Sequence, residues 1–230
     1  MLFRDENEDD ELLPFCDRAE AGRILATKLS AYGGRNDVIV LGLPRGGVPV
    51  AFEVAHALRV PLDVFVVRKL GVPWHKELAM GAVASKGIKV LDLTLAQRLS
   101  VSDEEIEKTV AAERKELKRQ ERLYRGNRPA LDLRGKTVIL VDDGIATGAS
   151  ILAAIAALRR QKVGRIVVAI PVAPANACDA IRMEADELVC VAEPRTFFAV
   201  SQWYENFTQT TDEDVRALLK QAARPVSRAA

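Results

Sequence analysis

The residues best suited to chemistry lie between Val138 and Ser150. The four apolar residues that open this stretch predict a buried parallel strand, and the apolar run that follows it predicts a helix. The turn between them carries two adjacent carboxylates, Asp142 and Asp143, with two glycines, a threonine and a serine. Free N–H groups at a helix start suit a phosphate, whereas two carboxylates beside an anion need hydroxyl donors or a cation. The turn therefore predicts a ligand with a phosphate at one end and a sugar diol in the middle, a ribose 5-phosphate.

Other phosphate-binding motifs fit this turn less well. A Walker A loop has four residues between its glycines and then a lysine. Here three residues separate Gly144 from Gly148, and Ala149 stands where the lysine would be. The turn also lacks the G-x-G-x-x-G pattern of dinucleotide-binding folds. An acidic turn without a ligand is disfavoured, because paired buried aspartates are costly when nothing compensates their charge.

The same segment resembles the signature of the type I phosphoribosyltransferases, which bind 5-phosphoribosyl 1-pyrophosphate (PRPP). That signature is an apolar strand, two acids and a T-G-x-S/T turn. The resemblance implies that Asp142 and Asp143 hold the ribose hydroxyls, and that the loop after them binds the 5-phosphate through its backbone and hydroxyls. The loop residues concerned are Gly144, Ile145, Ala146, Thr147, Gly148, Ala149 and Ser150.

A second glycine-containing loop follows the first predicted strand, residues 38–43. Its two glycines would leave amides free at a helix start, and the guanidinium of Arg45 suits a pair of phosphate oxygens. In the resembled family the loop at this place holds the pyrophosphate of PRPP. We therefore expect pyrophosphate binding by Pro44, Arg45, Gly46 and Gly47.

Two adjacent cations, Arg68 and Lys69, follow a second predicted strand, residues 64–67. We expect them to face the same edge of the sheet as Asp142 and to contact the pyrophosphate. The resembled family carries a mobile lid after this strand, which would exclude water while a reactive sugar cation forms. Residues 71–82 are the candidate lid, although a solvated basic turn accounts for the lysine in it equally well. The lid residues singled out are Gly71, His75, Lys76 and Glu77.

Five aromatic residues are concentrated between positions 195 and 207. This density is compatible with a stacking surface for a flat base, and equally with a small lobe packed on the core. In the resembled family a variable segment covers the site and selects the nucleophile, so we name residues 192–215 the hood. The base-stacking candidates are Phe197, Phe198, Trp203 and Tyr204.

Predicted strands and helices alternate along the rest of the chain. The pattern predicts an α/β fold with a mostly parallel five-stranded sheet flanked by helices and a small hood, the type I phosphoribosyltransferase fold. Residues 81–90 predict a hairpin around Lys86, and residues 102–122 a long charged helix with a thin apolar face, either a surface arm or a subunit contact. Further strands are predicted at 137–141, 166–170 and 188–191, and helices at 17–32, 149–160 and 175–184.

Composition limits the class of protein. The chain has 230 residues, a net charge of +1 and no basic stripe with interleaved aromatics, which disfavours nucleic acid as a partner. No apolar run approaches membrane-spanning length, and the odd count of three cysteines predicts free buried thiols in a reducing compartment, the cytoplasm. The expected parts are an acidic leader (1–11), a core (12–191) with a helical insertion (92–134), the hood (192–215) and a tail (216–230).

The resemblance implies transfer of ribose 5-phosphate between PRPP and a nitrogenous base or amine whose identity is open. The expected catalytic residues are Arg68, Lys69, Asp142 and Asp143. Mg²⁺ would be held mainly by PRPP, with Asp142 or Asp143 as a further ligand, and a homodimer is expected from the family. Two alternatives stay open. One is a regulator of the same fold that binds PRPP or a nucleotide without turnover. The other is a phosphatase or kinase, which would need a nucleophile or a lysine that Gly144 and Ala149 do not supply.

Overall fold

We describe a computed structural model of the chain that covers residues 14–126, 128 and 131–223, without the side chains of Lys76 and Glu77. The expected acidic leader (1–11) and the end of the expected tail lie outside the described residues. The strands are β1 (Val38–Gly42), β2 (Leu62–Val64), β3 (Val67–Val72), β4 (His75–Ala84), β5 (Ile88–Leu91), β6 (Thr137–Val141), β7 (Arg165–Val172) and β8 (Glu187–Ala192). The helices are α1 (Arg18–Lys28), α2 (Gly47–Leu58), α3 (Leu93–Arg98), α4 (Asp103–Arg125), α5 (Ala149–Arg160), α6 (Ala175–Glu184) and α7 (Asp212–Ala222).

Five parallel strands form the central sheet in the order β2-β1-β6-β7-β8. β1 and β6 are buried along their whole length, as expected for central strands covered on both faces. The chain moves from β1 to β2 on one side and later adds β6 on the other side. Strand order therefore reverses between β1 and β6, and ligands of open α/β sheets bind at such a point beyond the carboxyl ends of the strands.

Helices cover both faces of this sheet. α1 and α2 pack on one face, where Leu25, Val54 and Ile139 share one apolar cluster. α5 and α6 pack on the other face, around Leu140 and Ile170. The alternating side chains of each strand supply both clusters, since successive residues of a strand point to opposite faces. The predicted α/β architecture is confirmed.

The expected second strand was wrong in its bounds. β2 ends at Val64, and β3 begins at Val67 in a separate antiparallel sheet with the order β3-β4-β5. The sequence pattern of residues 64–67 does not reveal this break, because residues 64–66 are all apolar and buried. Arg68 and Lys69 therefore lie inside β3 instead of following a strand of the central sheet. The hairpin predicted around Lys86 is confirmed as β4 and β5 joined by a 3₁₀ turn.

The long helix α4 packs on its own chain. Ser102 and Glu105 form the predicted capping box, which fixes the start of the helix. Ile106 and Val110 are buried against the small sheet, and Tyr124 is buried against α7. The thin apolar face is thus covered within the molecule, so the helix is not a free arm on the surface.

Two expectations about the chain's ends and thiols need correction. The boundary expected between hood and tail, at 215/216, falls inside α7. All three cysteines are free of disulfides; Cys178 is buried and Cys190 half-buried, but Cys16 is exposed, so its predicted burial was wrong.

The segment next to Cys16 pairs with the hood: the Phe15 N–H donates to the Trp203 carbonyl at 2.9 Å, and the Glu205 N–H donates to the Phe15 carbonyl at 2.8 Å.

Candidate active site

The acidic pair lies where the sheet reverses its order. Asp142 and Asp143 directly follow β6, the central strand, and the Asp143 N–H donates to Asp142 Oδ1 at 2.9 Å. Burial, and secondly the negative charge of Asp143, raise the pKa of the Asp142 carboxyl well above its usual range. The folded protein therefore holds a carboxyl group that is costly to ionise at the place where the sequence predicts a ligand.

The two predicted loops meet at this pair. A Cβ atom placed on Gly46 would lie 2.0 Å from Asp143 Oδ2, and one on Gly47 would lie 2.9 Å from Asp142 Oδ1. Contacts that short exclude a side chain at positions 46 and 47, so glycine is required at both. The loop after β1 and the acids after β6 thus form one structure, as their positions on adjacent parallel strands predict.

An arginine that the sequence analysis missed binds the second acid. Arg18 Nε donates to Asp143 Oδ2 at 2.7 Å, and the two side chains are only 11% and 14% exposed. The guanidinium also lies over the Phe207 ring, 3.8 Å from its centroid, and donates to the Thr208 carbonyl at 2.8 Å. The hood and the start of α1 therefore position Arg18 on Asp143. No local sequence signal marks this contact, because 125 residues separate the partners.

The expected phosphate loop combines groups that suit a phosphate with one residue that is already bonded and buried. Gly148 has φ 76° and precedes α5, and the Thr147 and Ser150 side chains are exposed, so hydroxyls and a helix start are present. The Ile145 amide, however, donates to the Val172 carbonyl at 3.0 Å, and the Ile145 side chain is buried in the core. Ile145 is therefore an anchor of the loop in this structure, and its amide is already used. Of the other expected loop residues, Ala146 is exposed and Gly144 and Ala149 are half-buried.

A cleft of about 480 Å³ opens beside the acids. Asp143 lines it, whereas Asp142, which packs against Gly47, is not among the lining residues. A Cβ on Gly144 would lie 2.5 Å from a methyl group of Val200, so the hood closes tightly over the start of the phosphate loop. The cleft is lined by Arg18, Arg45, Gly46, Asp143, Val200, Phe207, Gln209 and Thr210.

The predicted cations do not all reach this cleft. Arg45 lines it and lies 3.8 Å from Asp212 at the start of α7. Arg68 Nε donates instead to Glu113 Oε2 of α4 at 2.8 Å. Arg68 and Lys69 are neighbours in β3, opposite Val83 and Ala82 of β4, so their side chains point to opposite faces of the small sheet. The expectation that both face the edge bearing Asp142 was therefore wrong.

The candidate lid is the hairpin of β3 and β4. Gly71 lies in β3 at an irregularity of the pairing, and His75 opens β4 with Nδ1 accepting the Leu78 N–H at 3.2 Å. Trp74 in the turn is 59% exposed. The side chains of Lys76 and Glu77 lie outside the described part of the structure. The hairpin thus presents an uncovered aromatic ring at its tip, a feature that the sequence analysis did not single out.

The four base-stacking candidates have different environments. Tyr204 is 5% exposed, packs on Phe15 and Phe207, and donates from its hydroxyl to the Asp143 carbonyl at 2.5 Å. Burial is the main cause that raises the pKa of Tyr204. Its ring is therefore part of the hood's own packing and is not available to a base. Phe198 is 84% exposed, while Phe197 and Trp203 are half-buried.

Comparison with known proteins agrees with this fold. Residues 10–206 match the model of the phosphoribosyl transferase domain. The chain belongs to the phosphoribosyl transferase family. The match includes β1, β6 and the loops after both, which carry the glycine pair and the acids of the site.

Two curated members of the phosphoribosyl transferase family come from Mycobacterium tuberculosis. MT0597 (strain CDC 1551 / Oshkosh) and Rv0571c (strain ATCC 25618 / H37Rv), both named provisionally as phosphoribosyl transferases, are each 46% identical over 218 residues. The match covers 94% of this chain but 48% of each relative, so the chain spans about half the length of these proteins. The crystal structure of TT1426 from Thermus thermophilus is 41% identical, with a TM-score of 0.83 over 92% of this chain and all of that one. Among the described residues, no helix combines the length and apolar character that crossing a membrane requires.

Proposed function

We propose that the chain is a phosphoribosyltransferase that binds PRPP and moves its ribose 5-phosphate to a nitrogenous base or amine, with release of pyrophosphate. The observation that carries this proposal is the contact of the acidic pair after β6 with the glycine pair after β1 at the reversal point of the sheet. Two carboxylates suit a ribose diol, and Gly46 and Gly47 allow a bound group to approach the backbone. The family to which the chain belongs supports this assignment.

In this proposal Asp142 and Asp143 accept from the ribose hydroxyls and stabilise positive charge that develops on the sugar ring. Thr147, Ser150 and backbone amides near Gly148 bind the 5-phosphate. Pro44, Arg45 and the two glycines after it bind the pyrophosphate. Positioning and fixed charge then supply most of the acceleration, with no covalent enzyme nucleophile.

Magnesium fits the chemistry of these residues. Carboxylate and hydroxyl oxygens are the ligands that Mg²⁺ prefers, and a nearby cation would offset the burial and the Asp143 charge that raise the pKa of Asp142. We propose that Mg²⁺ is held mainly by the pyrophosphate of PRPP, with Asp142 or Asp143 as a further ligand. Bound there, the ion would neutralise the leaving group.

The first test is PRPP binding measured by calorimetry in the presence of Mg²⁺. The Asp142→Asn, Asp143→Asn double variant is expected to lose binding, and the Glu104→Gln variant, which removes an exposed acid at the start of α4, should bind normally. Because the Asp143 change also removes the partner of Arg18, Asp142→Asn alone is measured beside it, with circular dichroism as the check on folding. Unchanged PRPP affinity in both folded variants would overturn the proposal.

A second candidate is a regulator of the same fold that binds PRPP or a nucleotide without turnover. The observation that favours it is the Arg18–Asp143 ion pair, which occupies a carboxylate that ribose would use. Pyrophosphate release, measured with PRPP, Mg²⁺ and a panel of bases and amines, separates the two candidates. Release with one acceptor supports the transferase, and tight PRPP binding with no release across the panel supports the regulator.

The remaining roles follow from the same proposal. The β3–β4 hairpin is the lid, Phe197, Phe198 and Trp203 are the surfaces left for an acceptor ring, and Arg68 approaches the pyrophosphate only when the hairpin moves. We further propose that the protein acts as a homodimer in the cytoplasm. Light scattering after size-exclusion chromatography tests the dimer, and a monomeric mass would contradict it.

A further inference from the structure

Two thiols and a carboxylate converge under the edge of the central sheet, away from the acidic pair. Cys178 lies on α6, Cys190 on the edge strand β8, and Glu193 just after that strand. Their two sulfur atoms and one carboxylate oxygen all lie within 4.8 Å of one another. β8 is two strands away from β6, which places this cluster roughly 10 Å across the sheet from the strand that carries the acids.

We propose that Cys178, Cys190 and Glu193 bind a thiophilic divalent cation, with Zn²⁺ as the best match. Two thiolates and one carboxylate are a ligand set that zinc accepts and magnesium does not. Two thiolates on one tetrahedral zinc ion lie about 3.8 Å apart, so the observed cluster needs to close by no more than about 1 Å. The fourth position would be taken by water.

The surroundings of the cluster suit a bound ion. Arg182 donates to Glu193 Oε1 at 2.5 Å and to Asp179 Oδ1 at 3.1 Å, which fixes the carboxylate and supplies one positive charge. Two thiolates, one carboxylate and a divalent ion sum to one negative charge, which the guanidinium, shared with Asp179, partly offsets. An outer group that orients a ligand in this way is a regular part of protein metal sites.

Of the two thiols, Cys178 is buried and Cys190 is half-buried. Cys190 Sγ lies 3.0 Å from the Ala192 carbonyl, an acceptor for its S–H group. Burial raises the pKa of Cys178 to about 11 and also raises the pKa of Cys190. The ion would join α6 to the chain just where it leaves β8 for the hood.

The experiment is titration of the whole chain with Zn²⁺ and with Co²⁺ in a non-coordinating reducing agent, which prevents a disulfide. We expect one ion per chain in competition with a chromogenic chelator, a thiolate-to-cobalt charge-transfer band, and a higher melting temperature with zinc. Cys178→Ser and Cys190→Ser should each abolish the band, and Cys16→Ser, at the exposed cysteine, should retain it. Glu193→Gln should weaken zinc binding at least about tenfold.

Two results would overturn the proposal. One is a cobalt complex without a thiolate band, and the other is zinc affinity unchanged in a folded Cys178→Ser, Cys190→Ser double variant. If the serine variants fail to fold, Glu193→Gln decides the question, because that side chain is 31% exposed and its loss does not open the core. Unchanged affinity in that variant would reject the three-ligand site.

Discussion

Replacing Asp142 by asparagine should make the protein more stable while it removes ligand binding. Burial and the neighbouring Asp143 charge raise the pKa of Asp142, so the folded state holds this proton more tightly than the unfolded chain does. The Asp142 carboxyl thus lowers the free energy of unfolding once it is ionised in both the folded and the unfolded state. The free energy of unfolding should fall as the pH rises from about 3.9, the pKa of an aspartate in the unfolded chain, through the raised pKa of Asp142 in the folded state.

The expected gain follows from relief of one unfavourable buried charge. An amide at position 142 can keep accepting the Asp143 N–H bond of 2.9 Å and carries no charge. Substitutions that relieve a local cost of this kind raise the free energy of unfolding by about 0.5–2 kcal/mol. For a chain of this size each kcal/mol shifts the melting temperature by about 2–4 °C.

The assay is urea unfolding of wild type and Asp142→Asn between pH 4 and pH 8, roughly the span that brackets the ionisation of a buried carboxyl. The stability difference should grow with pH. Asp143→Asn is the matched comparison with the opposite sign, because it removes the 2.7 Å ion pair to a largely buried Arg18 and should cost about 1–3 kcal/mol. A variant at 142 that is less stable at every pH, or a difference that does not change with pH, would refute the reasoning.

Three further predictions concern the glycine loop, the lid and the β3 cation. Gly46→Ala should lower PRPP affinity at least about tenfold, a change in free energy of about 1.4 kcal/mol, because its Cβ meets a carboxylate oxygen at 2.0 Å; calorimetry that finds wild-type affinity would contradict this. In a Trp203→Phe variant the emission of Trp74, the remaining tryptophan, should change when PRPP and Mg²⁺ bind, and a constant spectrum would argue against a moving hairpin. Glu113→Gln releases Arg68 and should tighten PRPP binding if Arg68 reaches the pyrophosphate; equal affinity in this variant and in Arg68→Gln would remove Arg68 from the site.

Periodicity and turn chemistry predicted most of the central fold. The bounds of β6 and α5 agree with the sequence analysis, because an apolar run and a glycine-containing turn mark them unambiguously. The approach of the acids to the glycine pair was also predictable, since parallel strands bring their carboxyl ends to one edge. These features depend on residues close in sequence or on a general rule of sheet topology.

The parts that the sequence analysis missed depend on distant partners. Arg18 reads as a surface residue at the start of an amphipathic helix, yet it binds Asp143 and Phe207. Tyr204 reads as a stacking candidate, yet the hood buries its ring. No polar residue marks the break between β2 and β3, because residues 64–66 are apolar and buried. Composition within a window carries no information on such contacts, which the closed tertiary structure alone defines.

The interlocking of residues 15–18 with residues 203–208 has a consequence for biosynthesis. Arg18 emerges from the ribosome 190 residues before Thr208, whose carbonyl it binds. At about 5–20 residues per second this interval lasts roughly 10–40 s. Throughout that interval the hood residues that position Arg18 on Asp143 have not yet been synthesised. The cleft is therefore assembled only after Thr208 has been synthesised, and a nascent chain that is stalled or truncated before the hood would expose the acids without this arginine contact.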